Sequence, residues 1–200
     1  MGNKIKILVK KLNEQAKIPC YAHDGDVGMD FFATDVEYDA EKDMYIYHTG
    51  LSFESDKNLA QFVFLRSSNR NTNAYLCNHV GIVDTATYRG EVLICMKNRD
   101  SIQQIAHSEA TKAFISALNV VCKCDNTLPL KDAVESATEV FMNTEKRILS
   151  DAQELKYAPY QVGDKIAQMV FFNCPTVELE EVDNLSSTTR GDGGFGSSGK

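Results

Sequence analysis

Residues 78–94 read NHVGIVDTATYRGEVLI. Apolar residues at both ends frame a polar centre that includes Gly90, a pattern that predicts a β-hairpin. One acid, Asp84, lies at the mouth of the bend, and one aromatic residue, Tyr88, lies beyond it. Strand backbones can bind a planar ring, an aromatic ring can cover a sugar and an acid can polarise water, so such a hairpin can form a pocket. Taken alone, an exposed Asp in a turn is the more ordinary interpretation.

The segments around this stretch predict an all-β domain. Short apolar or alternating segments recur between turn residues, at 4–10, 24–34, 44–53, 60–65, 166–173 and 176–182. Many short strands with regular turns are typical of a β-sandwich or jelly roll. Gly50 is expected to kink the segment in which it lies.

One block, residues 101–156, departs from the β pattern. Apolar residues recur there at helical spacing, at Leu130, Val134, Ala137, Phe141, Ile148 and Leu155. This spacing predicts a long amphipathic helix with Pro129 near its start. A shorter helix is expected at about 103–118, and 118–124 is expected to be extended.

The domain organisation follows from the position of this block between strand regions. We expect a β core formed by 1–100 and 157–185, with 101–156 inserted into it. Residues 186–200 are rich in Ser, Thr and Gly, so they are expected to form a flexible C-terminal arm.

The composition excludes several functional classes. The chain has 200 residues, of which 43% are hydrophobic, and a net charge of -7. An acidic balance argues against nucleic-acid binding. No apolar run is long enough to cross a bilayer, and the N-terminus lacks the features of a signal peptide. We therefore expect a cytoplasmic protein with neither a nucleic-acid nor a membrane partner.

The six cysteines are expected to be free buried thiols, because the sequence has no secretion signal. Cys122 and Cys124 form a C-x-C pair without a second pair at ligand spacing, which argues against a zinc site.

Five short motifs follow one another along the chain. They are VGMDF at 27–31, RSS at 66–68, GIVD with YRGE between 81 and 91, GDKIAQ at 163–168, and RGDGGFGSSG at 190–199. In this order they resemble the five motifs of the trimeric dUTP diphosphatase (dUTPase) family, and Thr49-Gly50 also fits its pattern. The resemblance covers the chain outside 101–156. It implies a mostly β fold, a jelly roll or distorted β-barrel with an α-helical insertion.

The resemblance also implies an activity and its residues. The enzyme would hydrolyse dUTP to dUMP and diphosphate, which lowers dUTP and supplies dUMP for thymidylate synthesis. Asp84 matches the catalytic carboxylate, which orients and deprotonates the water that attacks the α-phosphate. The residues matched to uracil and sugar contacts are Asn78, Ile82, Val83, Leu93 and Tyr88. Those matched to phosphate contacts are Arg66, Ser67, Ser68 and Gln168. In the arm, the matched residues are Arg190, Phe195, Gly196 and Ser197, with Phe195 stacking on uracil. Asp30 is a supporting residue near the sugar.

Two further implications concern the metal and the assembly. Mg²⁺ would be held mainly by the substrate phosphates and waters, without a direct protein ligand. The protein would be a homotrimer with composite active sites, each closed by the arm of another chain.

The sequence departs from the family pattern in several places, including Leu65 where Pro is common and Thr87 where an acidic residue is frequent. Three residues separate Asp84 from Tyr88, where the family usually has two, so the tip of the bend is longer. The large insertion is also outside the common pattern, although inserts at comparable places occur in some phage-encoded members. We expect the insertion to lie outside the active site, packed on itself and on the barrel. The alternative is that it forms a docking surface for a protein partner.

Two other functions remain open. A dCTP deaminase has the same fold, but its catalytic Glu corresponds to Cys95 here, and a thiol cannot serve as that acid/base group in the same way. The other is a nucleotide-gated regulator that binds a partner through 101–156.

Overall fold

Buried and half-buried residues alternate in LAQFVF at 59–64, and this segment forms a strand, as the sequence predicts. The computed structural model describes residues 4–124 and 129–189, without the side chains of 121–124. The described strands are β1 Leu8–Lys11, β2 Met29–Phe32, β3 Asp35–Asp39, β4 Met44–His48, β5 Leu51–Glu54, β6 Leu59–Phe64, β7 Ala74–Leu76, β8 Gly81–Val83, β9 Leu93–Asn98 and β10 Lys165–Asn173. A short 3-10 helix covers Ser67–Asn71, and the two long helices are α1 Ile102–Cys124 and α2 Leu130–Gln153.

The strands form antiparallel sheets. One sheet has the order β2-β10-β6-β8, a second has the order β3-β4-β9-β7, and β1 pairs with β5. The side chains that the sheets turn inward form one apolar core, whose largest fully buried members are Tyr45, Tyr47, Phe31, Leu51, Ile94, Met96 and Ile166. Burying each of the Phe, Leu, Ile and Met side chains in this set contributes about 1.5–3 kcal/mol. The fold is the mostly β, jelly-roll architecture with a helical insertion that was expected.

The two arms of 78–94 do not pair with each other. β8 pairs with β6, whereas β9 lies between β4 and β7 in the other sheet. The expected hairpin is therefore wrong as a strand ladder. Each arm pairs with a strand elsewhere in the chain, and the segment between them is a turn that passes from one sheet to the other.

Two other expectations about strands are wrong. The segment 44–53 is two strands in different sheets rather than one kinked strand, because Gly50 takes a left-handed φ of 66° between β4 and β5. Residues 176–182 form no strand. The backbone N–H of Cys174 donates to the Asn58 carbonyl, and beyond it Val177 and Leu179 are 70% and 91% exposed, so this alternating segment buries neither of these side chains.

The insertion forms two helices that pack against each other. Small buried residues, Ala106, Ala110, Ala133 and Ala137, allow the close approach of α1 and α2. Pro129 is the N-cap of α2, as its position in the sequence predicted. The expected extended segment 118–124 is helical instead, because α1 contains no Gly or Pro that would end it earlier.

The base of the helical pair is attached to the β core. Ile102, Ala106, Ile148 and Ala152 form a small apolar cluster against Tyr38 and Tyr157. The carboxylate of Asp43, in the β3–β4 turn, accepts hydrogen bonds from the Ile102 N–H (3.2 Å) and the Tyr38 hydroxyl (2.6 Å). It therefore satisfies a free amide at the start of α1 from outside the helix.

Candidate active site

A cavity of about 350 Å³ opens where the two sheets separate, between β8 and β9. Its lining includes the four residues matched to uracil contacts, namely Asn78, Ile82, Val83 and Leu93. The other lining residues are Met44, Val63, Leu76, Cys77, Gly81, Val92, Ile94 and Cys95. A mostly apolar cleft with a few polar groups is the usual form of a small-molecule site.

Strand edges give this cavity its polar groups. Within the described residues, β8 has a ladder partner only on the β6 side, and the β7–β9 ladder ends at Met96, before Leu93 and Ile94. In an antiparallel pair only alternate residues point their N–H and C=O groups at a given neighbour. The edges of β8 and β9 therefore offer backbone donors and acceptors to a flat ring placed between them.

Asp84 lies at the end of β8, in a tight turn. Its carbonyl accepts hydrogen bonds from the N–H groups of Thr87 (2.9 Å) and Tyr88 (2.8 Å). The Asp84 side chain is exposed, and within residues 4–124 and 129–189 its carboxylate has no hydrogen-bond or ionic partner. It is therefore available to a water or a ligand at the rim of the cavity.

Thr85 fixes this turn to the barrel. Its side chain is fully buried, and its hydroxyl lies 2.5 Å from the hydroxyl of Ser55, which follows β5. The Ser55 N–H also donates to the Thr85 carbonyl (3.2 Å). Sequence reasoning missed Thr85 as a positioning residue, because a Thr in a polar turn gives no signal of burial.

Arg89 forms a second attachment of the same turn. Its guanidinium donates to the carbonyls of Thr85 (2.9 Å) and Ala86 (3.2 Å) and makes an ion pair with Glu54 (3.3 Å). The Arg89 carbonyl accepts a hydrogen bond from the buried Ser52 side chain (2.8 Å). Arg89 belongs to the YRGE motif, so its place in the motif was visible in the sequence but its role was not.

The exit of the turn is held by Thr49, Gly50 and Glu91. The Glu91 carboxylate accepts the Gly50 N–H (2.6 Å) and lies 2.9 Å from His48 Nδ1. The Thr49 hydroxyl donates to the Val92 carbonyl (2.7 Å). A Cβ on Gly50 would lie 2.8 Å from Ala16 Cβ, so both the close packing and the positive φ require glycine here.

Tyr88 does not line the cavity. Its hydroxyl donates to the Glu91 carbonyl (3.1 Å), and its ring lies over Gly90, where any Cβ would collide with it. The ring is 47% exposed at the tip of the turn. The role expected of Tyr88 at the sugar stays a prediction.

A second cavity, of about 320 Å³, gathers residues matched to phosphate contacts. Its lining includes Asp30, Arg66, Ser67 and Gln168, together with Ala22, Asp26, Val27 and Gly28. Arg66 donates from Nη1 to the Ser68 hydroxyl (3.1 Å), which places Ser68 beside this group. A Cβ on Gly28 would lie 2.7 Å from the Gln168 side-chain oxygen, so glycine leaves room for that amide.

Asp30 organises the cations of this second cavity. One of its carboxylate oxygens accepts a hydrogen bond from Arg66 Nε (2.7 Å), and the other accepts one from Lys165 Nζ (2.8 Å). Burial opposes ionisation of Asp30, but the hydrogen bonds from Lys165 and Arg66 outweigh it and lower the pKa of the carboxyl. Asp30 is thus ionised at neutral pH and fixes the direction in which Arg66 points.

Asp84 and Arg66 lie toward opposite ends of β6. Val83 is paired with Gln61, so Asp84 lies near the start of β6, whereas Arg66 follows its last residue, Phe64. At about 3.3 Å per residue, the five to six residues between these levels correspond to about 15–20 Å. One chain therefore does not bring Asp84 and Arg66 into a single site.

Known proteins match both the sequence and the fold. The dUTPase family model matches residues 155–199. The deoxyuridine 5'-triphosphate nucleotidohydrolase of Clostridium tetani is 31% identical over 193 residues, which cover 96% of this chain and 95% of the relative. The chain belongs to the dUTPase family. In this dUTPase, the family match begins near the end of the insertion and includes the arm motif at 190–199.

Solved phage dUTPases share the fold of this family member. The dUTPase of Staphylococcus bacteriophage 80alpha with dUPNHPP superposes with a TM-score of 0.59 at 20% identity, covering 98% of this chain and 99% of the other. A variant dUTPase of phage phi11 of S. aureus, described with a structural Mg(II) ion, gives a TM-score of 0.54 at 18% identity, over 91% and 99% of the two chains.

Some predicted features of this dUTPase lie outside the described residues. Arg190, Phe195, Gly196 and Ser197 are among them, so their roles remain predictions. In the part of the chain that is described, no group of three or more His, Cys, Asp or Glu residues could hold a metal ion. None of the described helices is both long and apolar enough to span a membrane.

Proposed function

We propose that this dUTPase hydrolyses dUTP to dUMP and diphosphate at sites shared between the chains of a homotrimer. The observation that carries the proposal is the cavity between β8 and β9, which gathers Asn78, Ile82, Val83 and Leu93. Asp84 directly follows Val83 at the end of β8. This arrangement gives a planar base a place to bind beside a free carboxylate. Membership of the family supports the same reaction.

Asp84 acts in this proposal as the general base. Its carboxylate accepts a proton from a water whose oxygen attacks the α-phosphorus. The bond from the α-phosphorus to the oxygen bridging to the β-phosphate breaks, and diphosphate leaves. Thr85 and Arg89 act as positioning residues, since they attach the turn that carries Asp84 to β5 and its neighbours. A base held in place before reaction avoids the cost of ordering it at each turnover.

Base selection rests on the strand edges. Uracil offers an alternation of acceptors and one donor that backbone N–H and C=O groups can match. Cytosine reverses part of that pattern and would leave buried backbone groups unpaired, at about 1–3 kcal/mol for each. A ring held between two strand edges also leaves little room for the methyl group of thymine. The pocket therefore favours uracil over both other pyrimidines.

In a homotrimer, Asp84 of one chain and Arg66 of a neighbouring chain can belong to the same active site. The distance of about 15–20 Å along β6 keeps Arg66 from reaching a phosphate chain bound beside Asp84 of the same chain. In the proposed trimer, the Arg66, Ser67, Ser68 and Gln168 group of one chain serves the base cavity of its neighbour. Residues 186–200 would supply Arg190 for the γ-phosphate and Phe195 over the base.

Mg²⁺ is proposed to enter with the nucleotide, bound by its phosphates and by waters, which is the usual mode for this ion. The exposed, polar character of the Arg66 cavity suits a hydrated metal–phosphate group. When bound, the ion would neutralise charge that builds up on the phosphates. The phi11 protein described with a structural Mg(II) ion supports a role for this metal in related proteins.

The test is a Mg²⁺-dependent assay of nucleotide hydrolysis with dUTP, dCTP, dTTP and UTP. Asp84→Asn should lower the single-turnover rate with dUTP by about 10²–10⁴-fold and retain binding of a non-hydrolysable dUTP analogue, because the amide keeps the shape and loses the base. Asp56→Asn, which changes an exposed carboxylate shortly after β5, serves as the control. A near wild-type rate in Asp84→Asn would remove Asp84 from the mechanism.

The same assay separates the alternatives. A deaminase would convert dCTP, and a pure binding module would convert neither nucleotide. Cys95, at the position of the deaminase Glu, is a half-buried thiol whose pKa is raised by burial, which does not favour acid/base work at neutral pH. A protein partner on 101–156 stays a prediction, with exposed Ile115 and Val120 on α1 as residues available to it. A cytoplasmic location likewise stays a prediction, and the four described cysteines, all free, fit a reducing compartment.

A further inference from the structure

Two cysteines face each other where β7 ends. The β7–β9 ladder pairs Leu76 with Met96, and the next step places Cys77 opposite Cys95. The Cys77 N–H donates to the Cys95 carbonyl at 3.0 Å, which continues the ladder by one residue. Both cysteines are free and half-buried.

The backbone geometry suits a bond between their sulfurs. Residues that share such a hydrogen bond in an antiparallel pair have Cα atoms about 5.5 Å apart, within the range of about 4.4–6.8 Å found in disulfides. Directly opposite residues also place their side chains on the same face of the sheet. Leu76 and Met96 point into the core, so Cys77 and Cys95 both point to the other face.

The pair belongs to the wall of the base cavity. Cys77 and Cys95 both line the cavity that contains Asn78 and Leu93, and Cys77 immediately precedes Asn78. Burial raises the pKa of both thiols, and the proximity of Cys77 adds to the rise at Cys95, as expected for neighbouring sulfurs. The thioether of Met44 lies 4.0 Å from the Cys77 sulfur, so this part of the wall is rich in oxidisable atoms.

We propose that Cys77 and Cys95 are a redox modification site, which peroxide converts to a disulfide that impairs binding of the base. The effect on catalysis rests on the proposed dUTP hydrolysis, whereas formation of the disulfide does not. A thiolate in solution can attack one sulfur of a disulfide and release the other as a thiol. The modification is therefore reversible by thiols.

The chemistry balances with hydrogen peroxide as the oxidant. One thiol attacks the peroxide, the O–O bond breaks, and a sulfenic acid and one water form. The second thiol then attacks the sulfenic sulfur, the S–S bond forms, and the hydroxyl leaves as a second water. The two sulfurs together lose two electrons, and the peroxide is reduced to two waters.

The disulfide acts on the cavity through its position. Linking the sulfurs draws the end of β7 toward β9 and shifts Asn78, which follows Cys77 directly and lines the cavity. It also fixes the edge of β9 at Cys95, two residues from Leu93. Both changes alter the width of the cleft, so the expected effect is a rise in KM for dUTP rather than a loss of kcat alone.

The experiment treats the full-length protein with hydrogen peroxide and blocks the remaining thiols. Peptide mapping by mass spectrometry should find a Cys77–Cys95 disulfide, and dUMP added beforehand should slow its formation by occupying the cavity. kcat/KM for dUTP should fall at least about tenfold and recover with dithiothreitol. Cys77→Ser and Cys95→Ser, each compared with itself before oxidation, should resist this loss, while Cys174→Ser, outside the cavity, should lose activity as the wild type does.

Three results would overturn the proposal. They are oxidised protein without the Cys77–Cys95 linkage, the linkage without a change in kcat/KM, and equal loss of activity in the serine variants. A preparation that fails to hydrolyse dUTP before oxidation would instead reject the proposed reaction. In that case the mapping, together with calorimetric titration of dUMP into reduced and oxidised protein, still decides whether the pair forms and impairs base binding.

Discussion

Replacing Thr85 by Val tests whether the hydroxyl pair of buried Thr85 and half-buried Ser55 holds the turn that carries Asp84. Valine keeps the volume and the branched shape of the fully buried side chain and removes only the hydroxyl that lies 2.5 Å from Ser55. Leaving the Ser55 hydroxyl without this partner should cost about 1–2 kcal/mol in the free energy of unfolding. For a chain of this length that corresponds to a fall in Tm of about 2–8 °C.

The same loss should appear in catalysis. If the hydroxyl pair holds Asp84 in its reactive position, about 1–2 kcal/mol corresponds to a roughly 5–30-fold lower kcat/KM for dUTP. Thr87→Val is the matched control, because Thr87 lies in the same turn with an exposed hydroxyl 3.5 Å from the Asp84 carbonyl. It should change kcat/KM by less than about twofold.

A double-mutant cycle with Ser55→Ala identifies the source of the effect. Since the two hydroxyls bond to each other, the double variant should lose hardly more stability than Thr85→Val alone. Additive losses of unfolding free energy would mean that each hydroxyl has a different partner. Wild-type kcat/KM in Thr85→Val would show that the turn is positioned by Arg89 and the backbone instead, and the reasoning would fail.

Four other perturbations have defined outcomes. Because the pKa of Asp30 is lowered in the folded protein, the contribution of its carboxylate to stability is present above the unfolded pKa of about 4 and is lost as pH falls through the folded pKa. The difference in unfolding free energy between wild type and Asp30→Asn, measured by urea titration at several pH values, should therefore shrink in acid. Tyr88→Ala should reduce the ratio of kcat/KM for dUTP over UTP, and an unchanged ratio would mean that another residue covers the sugar. Deleting 190–200 should leave the Tm of the nucleotide-free protein nearly unchanged but should lower the rate of dUTP hydrolysis. Full activity in the truncated protein would show that the segment has no role in catalysis. Replacing 101–156 by a short Gly/Ser loop should leave a trimeric, active enzyme, because the Asn98 side chain donates to the Tyr157 carbonyl (3.1 Å) and the two ends of the insertion are therefore adjacent. Sedimentation measures the oligomeric state and the dUTP assay measures the activity. A folded trimer without activity would contradict this prediction.

The spacing of apolar residues along the sequence predicted the strands and helices that have one regular apolar face. The alternation in 60–65 and 166–173 predicted β6 and β10, and the apolar spacing after Pro129 predicted α2. Strand partners were a different matter, because the pairing of β8 with β6 rather than β9 depends on which sheet edge is free. The short strands β3 and β7 also escaped prediction, since Asp35–Asp39 is rich in acids and Ala74–Leu76 has three residues.

The motifs predicted the identity of the site residues better than their arrangement. Asn78, Ile82, Val83 and Leu93 do line one cavity, and Asp30, Arg66, Ser67 and Gln168 line another. The separation of Asp84 and Arg66 along β6 could not be read from the sequence, because register is a property of the folded pair. The supports of the turn, Thr85 and Arg89, were missed because their partners on β5 and its flanks are distant in the chain.

The position of Asp84 and Arg66 at opposite ends of β6 has a genetic consequence in the proposed trimer. A chain damaged at Asp84 still lends an intact Arg66 end to its neighbour, and a chain damaged at Arg66 still lends an intact Asp84. Two inactive alleles of these two kinds therefore complement each other when expressed in one cell. In the mixed trimers, some interfaces bring an intact Asp84 of one chain together with an intact Arg66 of its neighbour. Two alleles damaged at the same end never do.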